Sequence, residues 1–448
     1  MYKKIISYLN KYQGSNTLKA FHLAISQSFI AFLFIFIDFI FSKRLSVSDF
    51  GVWKETFFIM NLGIPFLSFG FTESFKYFIA KENKDILFFF QNLTFVIFRI
   101  ALILFVALAI VNILHYLTII NIGVYYINSL FFPLPLLAFL FNKTLRYIYI
   151  NLGKAELLTK LSFFGGIFSL IVLVAGWYLL AISIEYYVSI AVVSYFSVFL
   201  FPSLFYYKSL GLPINFFSKH KATVKKMWVY GFPLYLATFS GLFSSYLDKF
   251  IVNIFENEAT FAIFAVGAFE IPIFAMLSAA FSQQIFPKMV QFIGEGKEYE
   301  AKDLWLQTTK KVSYITYPII LLTMYFAEDI IFFIYNDSYQ ESVVLFKTYL
   351  LVLLFRNNSY GILLTAKGKT KLITKISFVV LITNIICSLV LYNFYGIQGV
   401  VFGTLLSTFL MWVIYIYKEQ LFMEYLKTII LNKVLLILQL LIFLIYIL

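Results

Sequence analysis

Histidine and cysteine are nearly missing from this chain, and charge of either sign is scarce. The three histidines, His22, His115 and His220, lie far apart in sequence without metal-ligand spacing, which argues against a metal enzyme. The single Cys387 sits in an apolar stretch and has no partner for an intramolecular disulfide, so it reads as packing. Only 13% of residues are charged while 62% are hydrophobic, and mean hydropathy is +0.89. Globular proteins are roughly half apolar and a quarter charged. A string of soluble domains, which 448 residues would otherwise allow, is therefore excluded. Catalytic signatures are missing too. No G-x-S-x-G elbow occurs. The stretch AKGKT at Ala366–Thr370 imitates the end of a phosphate loop, but the position that needs glycine is Leu363 and no strand precedes it. This removes an ATP-driven pump, and no long outer loop is expected that could house an active site. The sequence reads as a protein that is not an enzyme.

Apolar stretches long enough to cross a bilayer, about 20 residues each, recur along the whole chain. The expected spans are 18–41, 53–80, 86–114, 122–150, 158–182, 184–207, 227–255, 259–289, 304–335, 342–365, 370–393 and 396–417, followed by an apolar stretch at 427–448. Residues 1–19 are polar and basic, and the first apolar run is too long for a signal h-region, so no cleavable signal peptide is expected. Bases gather at the N-terminus (Lys3, Lys4, Lys11, Lys19) and in the turns after even spans, for example Lys219, Lys221, Lys225 and Lys226 after the sixth. Turns after odd spans are nearly bare of base, the exception being Lys43 and Arg44, and some carry acids such as Glu256, Glu258, Glu328 and Asp329. By the positive-inside rule the N-terminus and the even turns are cytoplasmic. The net charge of +13 is then mainly topology and not a nucleic-acid footprint, although the lysines are also suited to anionic lipid.

The turn GKAELLTKLSF, Gly153–Phe163, returns 215 residues later as GKTKLITKISF, Gly368–Phe378, with seven of eleven positions identical and two more exchanging Leu for Ile. The stretches FIDFIFSKRLSVSDFGVW and YLDKFIVNIFENEATFAIF form a weaker second match, placing Asp38 and Asp248 in related positions. An even number of spans per half gives both halves the same orientation. The expected fold is an all-α polytopic membrane protein of two six-helix lobes, 1–215 and 216–420, related by a parallel internal repeat, with an additional apolar helix in 421–448. The segment 427–448 has two readings, a thirteenth span or a helix along the surface, which Lys427, Asn432 and Lys433 leave open.

Ionisable residues inside spans cost roughly 2.5–3.5 kcal/mol at the centre on insertion scales, so each asks for a cavity or a partner. Arg99 lies midway along the third span, too deep for easy snorkelling, and is read as a cavity cation or half of an internal ion pair. Arg146 falls late in the fourth span, where its side chain reaches either a cavity or the headgroups; Arg356 lies in the tenth. Asp248 and Lys249 are adjacent, about 100° apart on a helix, and so do not simply neutralise each other. Asp38 shares with Asp248 a place in the outer part of its helix, where cavity and snorkelling readings both stand; Glu73 is a further acid within a span. Glu270 precedes Pro272, where an opened helix would offer backbone carbonyls to a coupling ion or proton. Four candidate cations, Arg99, Arg146, Lys249 and Arg356, suit an anionic cargo such as a pyrophosphate. The acids Asp38, Glu73, Asp248 and Glu270 are the candidate ion carriers or charge partners.

Three stretches resemble Wzx-type oligosaccharide flippases, of the superfamily (MOP) that also holds MATE drug exporters and the lipid II flippase MurJ: FSKRLSVSDFGVW, YGFPLYLATFSGLFSSYLDKFIV, and LLTAKGKTKLITKISFVVLITNIICSLVLYNFYGIQGVVFGTLLS. The resemblance covers about 15–420. It implies export of an undecaprenyl-pyrophosphate-linked glycan to the outer leaflet of a bacterial cytoplasmic (inner) membrane, for O-antigen or capsule. The head would cross in an inter-lobe cavity lined by basic residues while the lipid tail stays in the bilayer. It implies no bound cofactor, possible coupling to an H⁺ or Na⁺ gradient, and neighbours such as a glycan polymerase and other assembly proteins. Competing readings are a cation-coupled multidrug exporter, which wants more acid than base in its cavity, a membrane glycan polymerase or ligase, which wants a large outer loop, and a scaffold.

Overall fold

The computed structural model describes residues 35–81, 86–119, 132–151, 220–269, 271–356 and 360–447, with a few further positions at 29–33, 130 and 160–175. All regular elements among the described residues are helical. In order they are α1 (Val47–Leu67), α2 (Phe71–Lys81), α3 (Ile86–Tyr116), α4 (Pro133–Asn151), α5 (Lys221–Phe255), α6 (Glu258–Gly267), α7 (Pro272–Gly294), α8 (Glu298–Tyr325), α9 (Ala327–Ile334), α10 (Gln340–Arg356), α11 (Ile362–Ala366), α12 (Thr370–Lys418), α13 (Phe422–Tyr425) and α14 (Lys433–Ile447). The expected span at 184–207, most of 18–41, part of 158–182 and most of the first copy of the repeated turn fall outside the described residues.

Apolar side chains cover the outside as well as the inside. On α3, Leu102, Ile103, Phe105, Val106, Ile110 and Ile113 are all exposed, a surface that water does not tolerate and lipid does. With helices hiding their own backbone polar groups, this is a multi-pass membrane protein.

Several expected spans are broken, each for a local reason. The stretch 53–80 is two helices, because Phe69 (φ 45°) and Gly70 (φ 76°) take left-handed backbone between α1 and α2. Gly70 is needed twice over: a Cβ there would run into the Gly231 carbonyl, and one on Gly231 into that of Gly70. The stretch 259–289 breaks between Gly267 and Pro272, where proline has no N–H to continue α6 and starts α7 instead. The stretch 304–335 is the pair α8 and α9, bent by 70°.

The 49 residues of α12 are helical throughout except at Gly396 (φ 57°, ψ −141°). They form a hairpin of two helices. Ser388 Oγ reaches the Val400 carbonyl at 3.3 Å, whereas twelve residues of continuous helix would separate them by about 18 Å. Only glycine takes this backbone easily. Gly399 and Gly403 then let the two arms touch, since a Cβ on either would collide with Leu391 or Ser388. This is the small-residue spacing that brings membrane helices together, and it confirms the separate spans expected at 370–393 and 396–417.

The chain forms two compact units. Unit 1 comprises 1–40 and 56–239; unit 2 comprises 41–55 and 240–448. In unit 1, α2, α3, α4 and the start of α5 share a core of Phe75, Phe78, Phe89, Phe90, Leu93 and Leu140. In unit 2, the stretch 41–55 packs Phe50 edge-on to Tyr335 and Tyr339, with centroids 6.1 and 5.7 Å away. Asn336 donates to the Ser42 carbonyl at 2.8 Å. Helix α6 is tied to α10 by Ser342 Oγ donating to the Ile263 carbonyl at 2.7 Å. At the C-terminus, Phe422–Ile430 and α14 meet at 76°. Helix α14 lies along α8, with Tyr314 donating to Asn432 at 3.1 Å and Tyr446 3.1 Å from Thr348.

Candidate functional site

Unit 2 brings several polar groups together inside its helices. At their centre is Asp248 on α5, only 6% exposed. The Tyr349 hydroxyl of α10 donates to one carboxylate oxygen of Asp248, and the other accepts the Lys249 amide at 2.7 Å. Two cavities of about 180 Å³ each flank this group. The first is lined mostly by residues with polar side chains, among them Ser244, Ser245, Asp248, Asn384, Thr404 and Ser407. The second is mainly apolar, with Phe269, Ile271, Phe274, Phe346 and Leu350 beside Tyr349.

Arg356 lines both cavities. It ends α10, is exposed, and places Nη2 3.4 Å from Ser245 Oγ. A cation therefore stands where an apolar and a polar compartment meet. The polar cavity also collects oxygen donors from α5 and both arms of α12: the Asp248 carboxylate, the Asn384 amide and the Thr404 hydroxyl, which has no hydrogen-bond partner. A proton, or a small hard cation that prefers oxygen, is what such a set can hold. No group of three or more His, Cys, Asp or Glu with metal-binding geometry occurs among the described residues.

The other residues singled out by sequence are distributed as follows. Lys249 is half-buried on α5, its ammonium 5.7 Å from the Tyr246 ring. In unit 1, Arg99 is exposed midway along α3, with its guanidinium 4.9 Å from the Phe95 ring. It forms no ion pair among the described residues, so the ion-pair reading of Arg99 gains no support here. Glu73 has found partners: Lys143 Nζ at 2.8 Å and the Tyr147 hydroxyl at 3.2 Å. Lys143 escaped the sequence reading although it stands three residues before Arg146, one turn away on α4; a deep lysine beside a deep arginine was the available signal. Asp38 is half-buried in the helical stretch 35–42. The Arg146 side chain and Glu270 lie outside what is described, but the helix break that Glu270 was expected to border is present, between Gly267 and Pro272.

No curated protein sequence matches the chain. Among solved structures, an inward-facing multidrug resistance MATE family transporter of the MOP superfamily is similar with a TM-score of 0.67 at 13% identity, over 90% of this chain and 99% of that one. The lipid II flippase MurJ in an inward closed conformation is similar with a TM-score of 0.64 at 16% identity, over 95% and 97%. A MOP superfamily transporter from Pyrococcus furiosus, whose binding pocket is described as of reverse polarity, gives 0.60 at 14%, over 91% and 95%. At such identities the likeness concerns the fold. Residues 40–344, well over half of the chain, match the family of polysaccharide biosynthesis proteins, and the chain belongs to that family.

Proposed function

We propose that the protein is a Wzx-type flippase that carries an undecaprenyl-pyrophosphate-linked oligosaccharide from the cytoplasmic to the outer leaflet of a bacterial inner membrane, by alternating access. The observation that carries this is the family match over 40–344 on a fold shared with membrane transporters, one of which flips lipid II. The cargo supplies O-antigen or capsule assembly, where a glycan polymerase would act next. The repeat-related lobes are 1–215 and 216–420, with 421–448 added, and the N-terminus is cytoplasmic.

Arg356 supports an anionic, amphipathic cargo, because it borders a polar and an apolar cavity and its guanidinium suits a phosphate bidentately. Arg99, Arg146 and Lys249 are proposed as further contacts to pyrophosphate or glycan. Asp248 is proposed to carry the coupling H⁺ or Na⁺, with Glu270 as a second candidate beside the α6–α7 break. Glu73 acts as a charge partner of Lys143, and Asp38 belongs with the acids that couple or compensate charge.

Deleting the gene and analysing lipid-linked glycans by mass spectrometry, leaflet by leaflet, tests the proposal. A completed undecaprenyl-pyrophosphate repeat unit retained on the cytoplasmic face is the expected result. Unchanged amount and sidedness, with no redundant flippase, would end it. One observation favours a second reading, cation-coupled drug export: the buried carboxylate of Asp248 in a polar cavity, on a fold shared with MATE transporters. Drug resistance conferred on expression would select that reading.

A further inference from the structure

A second buried carboxylate, away from the cavities, is left unexplained by transport of any cargo. Glu419 follows the last residue of α12, just beyond the apolar span 371–418, on the side that the charge pattern assigns to the cytoplasm. It is 1% exposed, and among the described residues its carboxylate oxygens have no close hydrogen-bond partner, the Leu364 backbone being the one donor near enough to act on it. A buried carboxylate so weakly compensated is costly while charged.

The cations that could neutralise it are close but engaged elsewhere. Lys302 on α8 and Lys367 in the link between α11 and α12 both act on Glu419. Yet both ammonium groups are held by Glu298 in the first turn of α8, at 3.3 and 2.6 Å. Glu298 is 53% exposed and well hydrated without them, whereas Glu419 is not. Two carboxylates thus compete for two lysines, and in this conformation the one that needs them less has both.

We infer that Glu419 is a proton-binding site at the end of α12, and that losing its proton draws Lys302 and Lys367 away from Glu298. Burial raises the Glu419 carboxyl from the usual 4.5 to about 7, and the Leu364 backbone and the two lysines only partly oppose this. In the conformation described, Glu298 is held below the usual carboxylate range, chiefly by its hydrogen bond to Lys367. The remaining groups around Glu419 add little opposing charge. Tyr415 lies one turn earlier on its own helix, and from the next helix Tyr425 turns its hydroxyl toward Tyr360 while Glu424 faces outward.

The exchange connects three segments: the start of α8, the end of α12, and the link that opens GKTKLITKISF. Lys367 directly precedes that motif. The second copy of the repeated turn is thereby given a task, as the piece that shifts when Glu419 ionises. The inference does not depend on what the protein carries.

The test uses the full-length protein in lipid nanodiscs. The infrared band of a protonated carboxylic acid is followed from about pH 5 to about pH 9, a window wide enough to span both the ordinary and the raised carboxyl range. Loss of a band around neutrality, absent in Glu419→Gln, is expected. Glu298→Gln frees the lysines and lowers the midpoint, while Lys367→Met raises it, each by about one unit. A spin-label pair at positions 299 and 371 reports the partner exchange as a distance change across the same pH range, abolished in Glu419→Gln. A band that survives Glu419→Gln overturns the inference. So does a midpoint indifferent to both Glu298→Gln and Lys367→Met, or a label distance that does not follow pH.

Discussion

Glu73 in unit 1 and Asp248 in unit 2 are both carboxylates inside helices of a membrane protein, and they are satisfied in opposite ways. Glu73 faces a full positive charge, Lys143 at 2.8 Å, and both side chains remain 30% exposed. Asp248 is 6% exposed and is met by a neutral hydroxyl, that of Tyr349. An ion pair fixes the charge state of its members. Among the described residues Asp248 has no ion-pair partner, and it borders a cavity. The difference is what favours Asp248 over Glu73 for the proposed coupling role, although sequence alone set them side by side.

The largest effect should come from breaking the Asp248 side. Asp248→Asn keeps the shape and removes the ionisable group; ion-driven transport in proteoliposomes is expected to fall on the order of 5–150-fold, the usual range of a coupling free energy. Glu73→Gln should leave that ion dependence intact. If Asp248→Asn retained full gradient dependence, the assignment of coupling to Asp248 would be wrong.

Glu419 sharpens the comparison as a third case, a carboxylate with neither ion pair nor hydroxyl donor. Its raised folded-state value means that the fold prefers the protonated form. The stability it contributes is therefore present below about pH 4.5 and lost as pH rises through about 7. Glu419→Gln should unfold at a higher temperature than the parent at pH 8, by about 3 kcal/mol at most, and equally at pH 5. A variant that gained nothing at pH 8 would remove the raised value.

Tyr349→Phe deletes the hydroxyl that donates to Asp248 and should cost about 1–3 kcal/mol in denaturant unfolding, because a buried acceptor loses its donor. A change within a few tenths of a kcal/mol would imply that water fills the place. The smallest effect belongs to Glu73→Gln, about 1 kcal/mol or less given the exposure of both partners. Adding Lys143→Met should recover part of the loss if the pair is mainly a charge match. A double variant that is simply additive would deny the interaction.

Much of the fold was legible, and for definite reasons. Hydrophobic length marked the helices. Pro272 announced the break before α7, since a missing N–H stops a helix wherever it occurs. Other breaks were silent. Nothing in SFGF at 68–71 shows that Gly70 must lie against Gly231, more than 150 residues away in sequence, and the bend between α8 and α9 has no proline at its joint. Of the candidate site, sequence found every mid-span charge named except Lys143, but it could not say which of them meet. Arg356 and Asp248 border one cavity, whereas Lys249, next to Asp248 in sequence, does not line it.

By itself the sequence determined that this protein lives in a bilayer as a bundle of helices. Transfer free energy and backbone hydrogen bonding act residue by residue, and composition reports them. Tertiary structure alone decided the partners: a hydroxyl for Asp248, an ammonium for Glu73, and for Glu419 only the Leu364 backbone and two lysines that Glu298 holds. Partnership depends on distances between helices far apart in the chain, and at those distances a few ångströms separate a fixed ion from a group able to change its charge.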